Sequence, residues 1–141
     1  MLNQWQMYAF ASAFFAGLVA ILAKLGVANI PSNTATLIRT IVITVFLVIL
    51  ITLRKEWISP TLLDKKSLIF LILSGIATGF SWICYFRALQ MGSASGVVSV
   101  DKLSLIFTVL LAAMFLGEHL TWTQWGGVIL MTGGALLVIL K

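Results

Sequence analysis

An aspartate and a lysine lie side by side inside a stretch that is long and apolar enough to cross a membrane. The stretch is Ser93–Leu120, and Asp101 and Lys102 lie about two helical turns inside its first end. A charged side chain costs several kcal/mol at bilayer depth, and less where it faces the interior of a helix bundle or a partner. This pair is therefore the first place in the sequence to look for function.

Three kinds of chemistry are open to Asp101. It can form a structural ion pair with a basic residue predicted near the same membrane surface, namely Lys24, Arg39 or Arg87. It can bind a proton or a cation, or the surplus of basic residues can bind an anionic group. The sequence has neither a His, Cys, Asp or Glu cluster with metal-ligand spacing nor a nucleophile with an adjacent base. We therefore predict that the protein is not an enzyme and uses no metal and no cofactor.

The composition is that of an integral membrane protein. Of the 141 residues, 61% are hydrophobic and only 9% are charged, whereas a soluble domain has about 25% charged residues. The formal net charge of +5 is then expected to set topology and to meet lipid headgroups, and we predict no nucleic-acid partner. Because the sequence has no ATP-binding P-loop, any transport would not be powered by an ATPase of its own.

Five segments reach the roughly 20 residues that a spanning helix needs. They are predicted at residues 5–26, 32–53, 67–89, 94–116 and 121–140, so that residues 1–141 form a single all-α transmembrane domain. An odd number of spans places the two termini on opposite sides of the membrane. The basic residues divide four against four, with Arg54, Lys55, Lys65 and Lys66 on one side and Lys24, Arg39, Arg87 and Lys141 on the other. The division is four against two if Lys24 and Arg39 are counted inside the membrane. So weak a bias permits insertion in both orientations, with a single orientation as the alternative.

Hydroxyl side chains recur at helical spacing in three of the predicted spans. The rows are Thr36, Thr40 and Thr44; Ser74, Thr78, Ser81 and Tyr85, with Trp82 beside them; and Asp101, Ser104 and Thr108. Several of these residues are predicted near mid-depth, where a substrate cavity between helices is expected. The alternative is that the hydroxyls bond their own helices or join neighbouring ones. The predicted substrate contacts are Trp82, Tyr85, Ser81, Thr78, Thr108 and Thr44.

The fifth span carries two glycine pairs, Gly126-Gly127 and Gly133-Gly134, seven residues apart. Seven residues make about two helical turns, so both pairs lie on one stripe. Such a stripe exposes backbone for close contact between helices. We predict that it forms an interface between subunits, with packing inside the chain as the alternative.

A series of short motifs follows the five predicted spans. The motifs are Ala23-Lys24 ending the first span, Leu37-Ile38-Arg39 early in the second, Tyr85-Phe86-Arg87-Ala88-Leu89 ending the third, Leu116-Gly117-Glu118 closing the fourth, and the glycine-rich fifth span. Together they resemble the EamA domain, the repeat unit of the drug/metabolite transporter superfamily. The resemblance covers nearly the whole chain. It implies a secondary transporter or exporter, and family members typically carry two such domains related by an inverted repeat.

This chain carries one such domain, so two antiparallel copies would be needed to reproduce the ten-helix inverted pair. The glycine pairs also resemble the dimerisation pattern in the last helix of small multidrug resistance proteins. We therefore expect an antiparallel homodimer, in a bacterial inner membrane, that transports a small polar or amphipathic metabolite by alternating access. Asp101 is the predicted coupling charge, with Lys102, Arg39 and Lys24 as its partners. A flippase for lipids or lipid-linked sugars, or a non-transporting subunit of a larger membrane complex, are the alternatives.

Overall fold

The computed structural model describes residues 3–59 and 62–140. Within these ranges the chain is all-helical, without strands, and has five segments long and apolar enough to cross a membrane. The predicted all-α fold with five spans is confirmed. Lys141, which counts among the basic residues that bear on topology, lies outside the described residues.

The five spans are built from six α-helices and one π-helical turn. They are α1 (Gln4–Gly26), α2 (Ser32–Arg54), α3 (Lys65–Met91), α4 (Ala94–Asp101), α5 (Ser104–Leu111), the π-helical turn Ala112–Leu116, and α6 (Trp122–Ile139). Four of these spans begin and end within one residue of their predicted bounds, and the third is longer by two residues at each end. The fourth span keeps its bounds but is not one continuous α-helix.

Local signals in the sequence set several helix ends. Thr121 and Gln124 form a capping box at the start of α6, in which each side chain accepts a hydrogen bond from the backbone N–H of the other residue, at 3.4 and 2.7 Å. Asp64 precedes α3 and accepts hydrogen bonds from the backbone N–H and the hydroxyl of Ser67, at 2.9 and 3.0 Å. These two bonds lower the pKa of Asp64. The fourth span ends at Gly117, whose φ of 66° lies in the left-handed region that glycine adopts without strain.

The chain divides into two compact units. One unit contains the described residues up to Ile21 together with those from Met91 onward, and in it α4 and α5 pack against α6. Its buried side chains include Ala20 in α1 and Val128 and Ala135 in α6. The helices that carry Asp101 and the glycine pairs therefore belong to the same unit.

The second unit, Leu22–Gln90, contains the end of α1 together with α2 and α3. Val27, Phe86 and Leu89 are its most buried apolar side chains, with exposed fractions of 1%, 3% and 0%. Burial is thus concentrated around the last turns of α3 and the residue that follows α1. This is the part of the unit that holds Lys24 and Arg39.

Most large apolar side chains of the spans are exposed on the surface of the protomer. Phe80 in α3 and Leu130 in α6, for example, have 69% and 81% of their surface exposed. A monomer in water rarely exposes an apolar surface of this extent, whereas lipid tails or other membrane helices solvate it. The exposed surface therefore fits the predicted place of these helices in a bilayer.

The fourth span is interrupted at Lys102 and Leu103, between α4 and α5. The N–H of Leu103 donates to the carbonyl of Val100 at 2.9 Å, and the N–H of Leu105 donates to the carbonyl of Lys102 at 3.1 Å. These hydrogen bonds join residues three apart, which is the 3₁₀ pattern rather than the α-helical one. The interruption falls directly after Asp101, and tightened turns of this kind inside a helix often mark a hinge.

Candidate functional site

The side chain of Arg39 lies over two aromatic rings of α3. Its guanidinium carbon is 4.3 Å from the centre of the Trp82 ring and 5.6 Å from that of the Phe86 ring. Trp82 and Phe86 are four residues apart and so project from the same face of α3. Cation–π attraction is worth roughly 0.5–2 kcal/mol, which is less than the roughly 2.5–3.5 kcal/mol that an arginine costs at the centre of a spanning helix on insertion scales. The stack joins α2 to α3 but does not by itself offset the cost of the charge.

Tyr85 completes this group of side chains. It is close enough to Arg39 to interact with it electrostatically, and its ring centre lies 6.3 Å from that of Phe86 in an edge-on arrangement. We call Arg39, Trp82, Tyr85 and Phe86 the guanidinium–aromatic cluster. It brings together a residue of the predicted charge network and two of the predicted substrate contacts. Sequence reasoning missed Phe86, although its spacing from Trp82 is the signal that finds it.

The predicted rows of hydroxyl groups form hydrogen bonds to their own helices. The hydroxyls of Thr44, Thr78 and Thr108 each donate to the carbonyl oxygen four residues earlier, at 2.9 Å. This is the arrangement expected where hydroxyls satisfy the backbone of their own helix. Each hydroxyl oxygen keeps lone pairs, so the three threonines can accept a hydrogen bond from a ligand but can donate one only by giving up the helix carbonyl. Ser81, the fourth hydroxyl predicted to contact substrate, is exposed on α3.

Lys24 and Gln90 join the end of α1 to the end of α3. Lys24 donates a hydrogen bond to the carbonyl of Leu89, which lies in the last turn of α3. Gln90 donates through its Nε2 to the carbonyls of Val27 and Ile30, at 3.1 and 2.8 Å, in the connection that follows α1. The last carbonyls of a helix lack intrahelical partners, so Lys24 supplies a donor at the end of α3, while Gln90 supplies donors to carbonyls of the connection between α1 and α2. The structure therefore gives Lys24, a predicted member of the charge network, a structural contact.

We expect Gln90→Leu to lower the free energy of unfolding by about 1–2 kcal/mol, because two carbonyls lose a donor while the side chain keeps a similar size. Unfolding of the purified protein in detergent micelles measures the change. Gln4→Leu is the matched control, since Gln4 is exposed at the start of α1. Equal stability of the two variants would contradict the structural contact assigned to Gln90.

Asp101 and Lys102 form an ion pair at the interruption of the fourth span. The Nζ of Lys102 lies 3.9 Å from Oδ2 of Asp101, and the two side chains have exposed fractions of 54% and 44%, respectively. Asp101 is the last residue of α4, where the partial negative charge of the helix end disfavours a carboxylate and an adjacent ammonium group offsets it. Of the partners predicted for Asp101, Lys102 is one that the structure brings into contact with it.

The helix α6 has two opposite faces. Val128 and Ala135 are buried, and they are seven residues apart on one face. Gly126 and Gly133 precede them by two residues each, which is about 200° around the helix, so the glycines lie on the opposite face. A Cβ atom built on any residue of the two glycine pairs would meet no atom within 4 Å. Packing within the protomer therefore does not require glycine at these positions.

The match to known proteins extends over all five spans. The chain matches the EamA-like transporter family over residues 3–140. It belongs to that family. This EamA-like chain is 44% identical over 138 residues to a protein of Sinorhizobium sp. described as an uncharacterized transporter in the cobO 3′ region, and the match covers 98% of each chain. It is also 29% identical over 126 residues to the uncharacterized protein MJ1333.1 of Methanocaldococcus jannaschii, over 89% of each chain. No solved structure matches it.

Membership of the EamA-like transporter family confirms the resemblance found in the sequence. Together with the five apolar spans, it makes the chain a multi-pass membrane transporter, whose surroundings are the lipid bilayer and whose substrate is a small molecule. The family is described as one of transporters. Within the described residues, no group of three or more His, Cys, Asp or Glu side chains is placed to hold a metal ion.

Proposed function

We propose that this EamA-like chain is a secondary active transporter or exporter of a small polar or amphipathic metabolite, which works by alternating access as an antiparallel homodimer. The observation that carries the proposal is the family match, which covers the five spans as one repeat. Because five is odd, two copies related as in an inverted repeat must cross the membrane in opposite directions. A dimer of this kind would have the ten helices that the resemblance implies for two-domain members.

The interrupted fourth span supports the assignment of the coupling charge. In many transporters, the sites for substrate and coupling ion are formed by broken helices near the middle of the bilayer. The ion pair of Asp101 and Lys102 lies at the break of the fourth span. In our proposal Asp101 is the coupling or gating charge, and Lys102, Arg39 and Lys24 are the other charged members of the network.

The proposed substrate contacts differ in the interactions they offer. Trp82 and Tyr85 belong to the guanidinium–aromatic cluster, where their rings offer flat surfaces beside a positive charge. The remaining proposed contacts are hydroxyl groups, namely Ser81, Thr78, Thr108 and Thr44. The three threonines would accept hydrogen bonds from the substrate, because their own hydrogens are held by the helix.

The side of α6 that carries Gly126 and Gly133, which we call the glycine face, supports an interface between protomers. Association of membrane helices depends on close packing of small residues rather than on a hydrophobic driving force. Beside this face lies a groove of about 360 Å³, lined by Ile106 of α5 and by residues of α6 that include Ile129, Gly133 and Leu136. We assign the dimer contact to Gly126, Gly127, Gly133 and Gly134.

The orientation of the termini tests the antiparallel arrangement. The chain has one cysteine, Cys84, so a single-cysteine tag at either terminus can be introduced in a Cys84→Ser background. A maleimide that does not cross membranes is then applied from each side in turn. We expect each terminus to be labelled from both sides in similar amounts, because the bias of the basic residues towards either side is weak.

Cells that express the protein also test transport, with their whole metabolite profile as the readout. Liquid chromatography–mass spectrometry of the medium and of cell extracts should show at least one small metabolite whose distribution between cells and medium changes, relative to cells with an empty vector. Labelling of each terminus from one side only would contradict the antiparallel homodimer and point to an oppositely oriented partner chain. An unchanged metabolite profile, with a second protein co-purifying at equal stoichiometry, would point to a non-transporting subunit.

A further inference from the structure

Arg39 is a charged residue inside a span, and the unit to which it belongs supplies no acidic residue near it. Within Leu22–Gln90 the acidic residues are Glu56 and Asp64, both in the connection between α2 and α3. Glu56 pairs with Arg54 at 3.8 Å, and Asp64 caps α3. Arg39 lies fifteen residues before the end of α2, which is roughly 22 Å along the helix. The acids of this unit are therefore engaged at the far end of the span.

The surroundings of Arg39 are basic and partly buried. Lys24 and Arg87 belong to the same unit, and each lies in the last turns of its helix, towards the end of the unit that holds Arg39. Phe86, one of the two rings beneath the guanidinium, is buried, which excludes water from that side. The attraction of a cation to an aromatic face is smaller than the cost of an unpaired guanidinium in a span. This end of the unit is thus short of negative charge.

The stacked position leaves the hydrogen-bonding edge of the guanidinium unused. A guanidinium that lies over a ring engages the ring through its face, while its N–H groups point outward in its own plane. Within residues 3–59 and 62–140, none of these N–H groups donates a hydrogen bond. The planar fork of N–H groups matches two oxygens of a carboxylate or a phosphate.

We propose that Arg39, held on the face of Trp82, is the binding site for an oxyanion, the carboxylate or phosphate group of a ligand. Trp82 and Phe86 fix the plane of the guanidinium before the ligand arrives, which reduces the loss of side-chain freedom on binding. The inference rests on the proposed transport function only in taking this ligand to be the substrate, which would then be an anionic metabolite. A phospholipid headgroup also carries a phosphate and is the other source of such an oxyanion.

Binding can be measured on the purified protein in a maltoside detergent, which carries neither a carboxylate nor a phosphate. Inorganic phosphate or acetate is added at constant ionic strength, with chloride as the balancing anion, and tryptophan fluorescence and thermal unfolding are followed. We expect saturable binding of at least one of the two anions. Arg39→Gln should weaken it about 10- to 100-fold, because hydrogen bonds to charged groups are lost. Arg39→Lys, which keeps the charge but not the fork, should weaken it by an intermediate factor.

Arg87→Gln is the matched control, because it removes an exposed base from the same unit. Its affinity for the anion should equal that of the parent protein. An equal loss in Arg87→Gln and Arg39→Gln would show a diffuse effect of positive charge and overturn the site. Absence of saturable binding of phosphate, acetate and phosphatidylglycerol alike in the parent, or unchanged affinity in Arg39→Gln, would overturn it as well. Should Arg39→Gln fail to fold, Arg39→Lys decides, since an unchanged affinity there would overturn the site and a reduced one would support it.

Addition of phosphatidylglycerol to the micelles, in the absence of inorganic phosphate, distinguishes the two sources. If the lipid stabilises the parent protein but not Arg39→Gln, and phosphate does not, the oxyanion of the site belongs to a headgroup. If phosphate or acetate binds and the lipid does not, the oxyanion belongs to a free metabolite. These measurements need no membrane gradient, so their failure would leave the transport proposal standing. Loss of transport with anion binding intact would count only against transport.

Discussion

Asp101→Asn is expected to abolish transport and to leave a folded protomer. Asparagine keeps the shape of the side chain and removes only the negative charge at the end of α4, 3.9 Å from the ammonium group of Lys102. A group that couples transport to an ion must bind and release that ion, which a carboxylate can do and an amide cannot. In the metabolite comparison, cells that express Asp101→Asn should match cells with the empty vector, while size-exclusion chromatography should show the parent profile.

Two further variants separate coupling from simple ion pairing. Glu118→Gln removes an acid that follows the end of the fourth span, and it should transport like the parent protein. The double variant Asp101→Asn with Lys102→Met removes both charges of the pair. If Asp101 serves only to neutralise Lys102, the double variant should regain transport, and if it is the coupling charge, transport should stay absent. Loss of the folded protein in Asp101→Asn would favour the structural ion pair instead.

Length and hydropathy predict the spans because a bilayer imposes both requirements on every spanning helix. Neither quantity predicts the interruption after Asp101. Helix breaks usually follow from proline, glycine or a π-bulge, and the residues from Asp101 to Ser104 include no proline or glycine. The hydrogen bonds of Leu103 and Leu105 tighten there without a breaker in the sequence. Both α4 and α5 pack on α6, and single-sequence periodicity does not report tertiary contacts of this kind.

Spacing predicts which side chains share a helix face, but not which atoms they bind. The row that contains Thr78 follows from the helical period, yet the hydroxyl of Thr78 is bound to the carbonyl of Ser74. Attraction of opposite charges predicts an acid as the partner of Lys24, whereas the carbonyl of Leu89, 65 residues away, accepts its hydrogen bond. Contacts of this kind depend on how the end of α1 packs against α3. The stacking of Arg39 on Trp82 has the same origin, since it requires α2 and α3 to be neighbours.

Bulk on the glycine face of α6 is expected to separate the two protomers and to leave each one folded. Gly126→Leu and Gly133→Leu add side chains where a Cβ meets no atom within 4 Å, so the protomer has room for them. Leucine also has a higher helix propensity than glycine, which is about 0.8–1 kcal/mol less favourable than the best helix former, so α6 itself should not be weakened. A neighbouring helix packed closely on this backbone would, in contrast, be pushed away. Chemical cross-linking in membranes and the mass of the purified particle measure the dimer fraction, which should fall.

Gly17→Leu provides the matched control, because it makes the same change on α1, where a Cβ likewise meets no atom within 4 Å. Its dimer fraction should equal that of the parent protein. An unchanged dimer fraction in Gly133→Leu would contradict the assignment of the interface. Unfolding of the protomer would instead favour packing inside the chain as the explanation of the glycines. A two-fold dimer uses the same surface of both protomers, so each substitution is present twice at the interface. A mixed dimer of one parent and one Gly133→Leu protomer should therefore lose less dimerisation free energy than the dimer of two variant protomers.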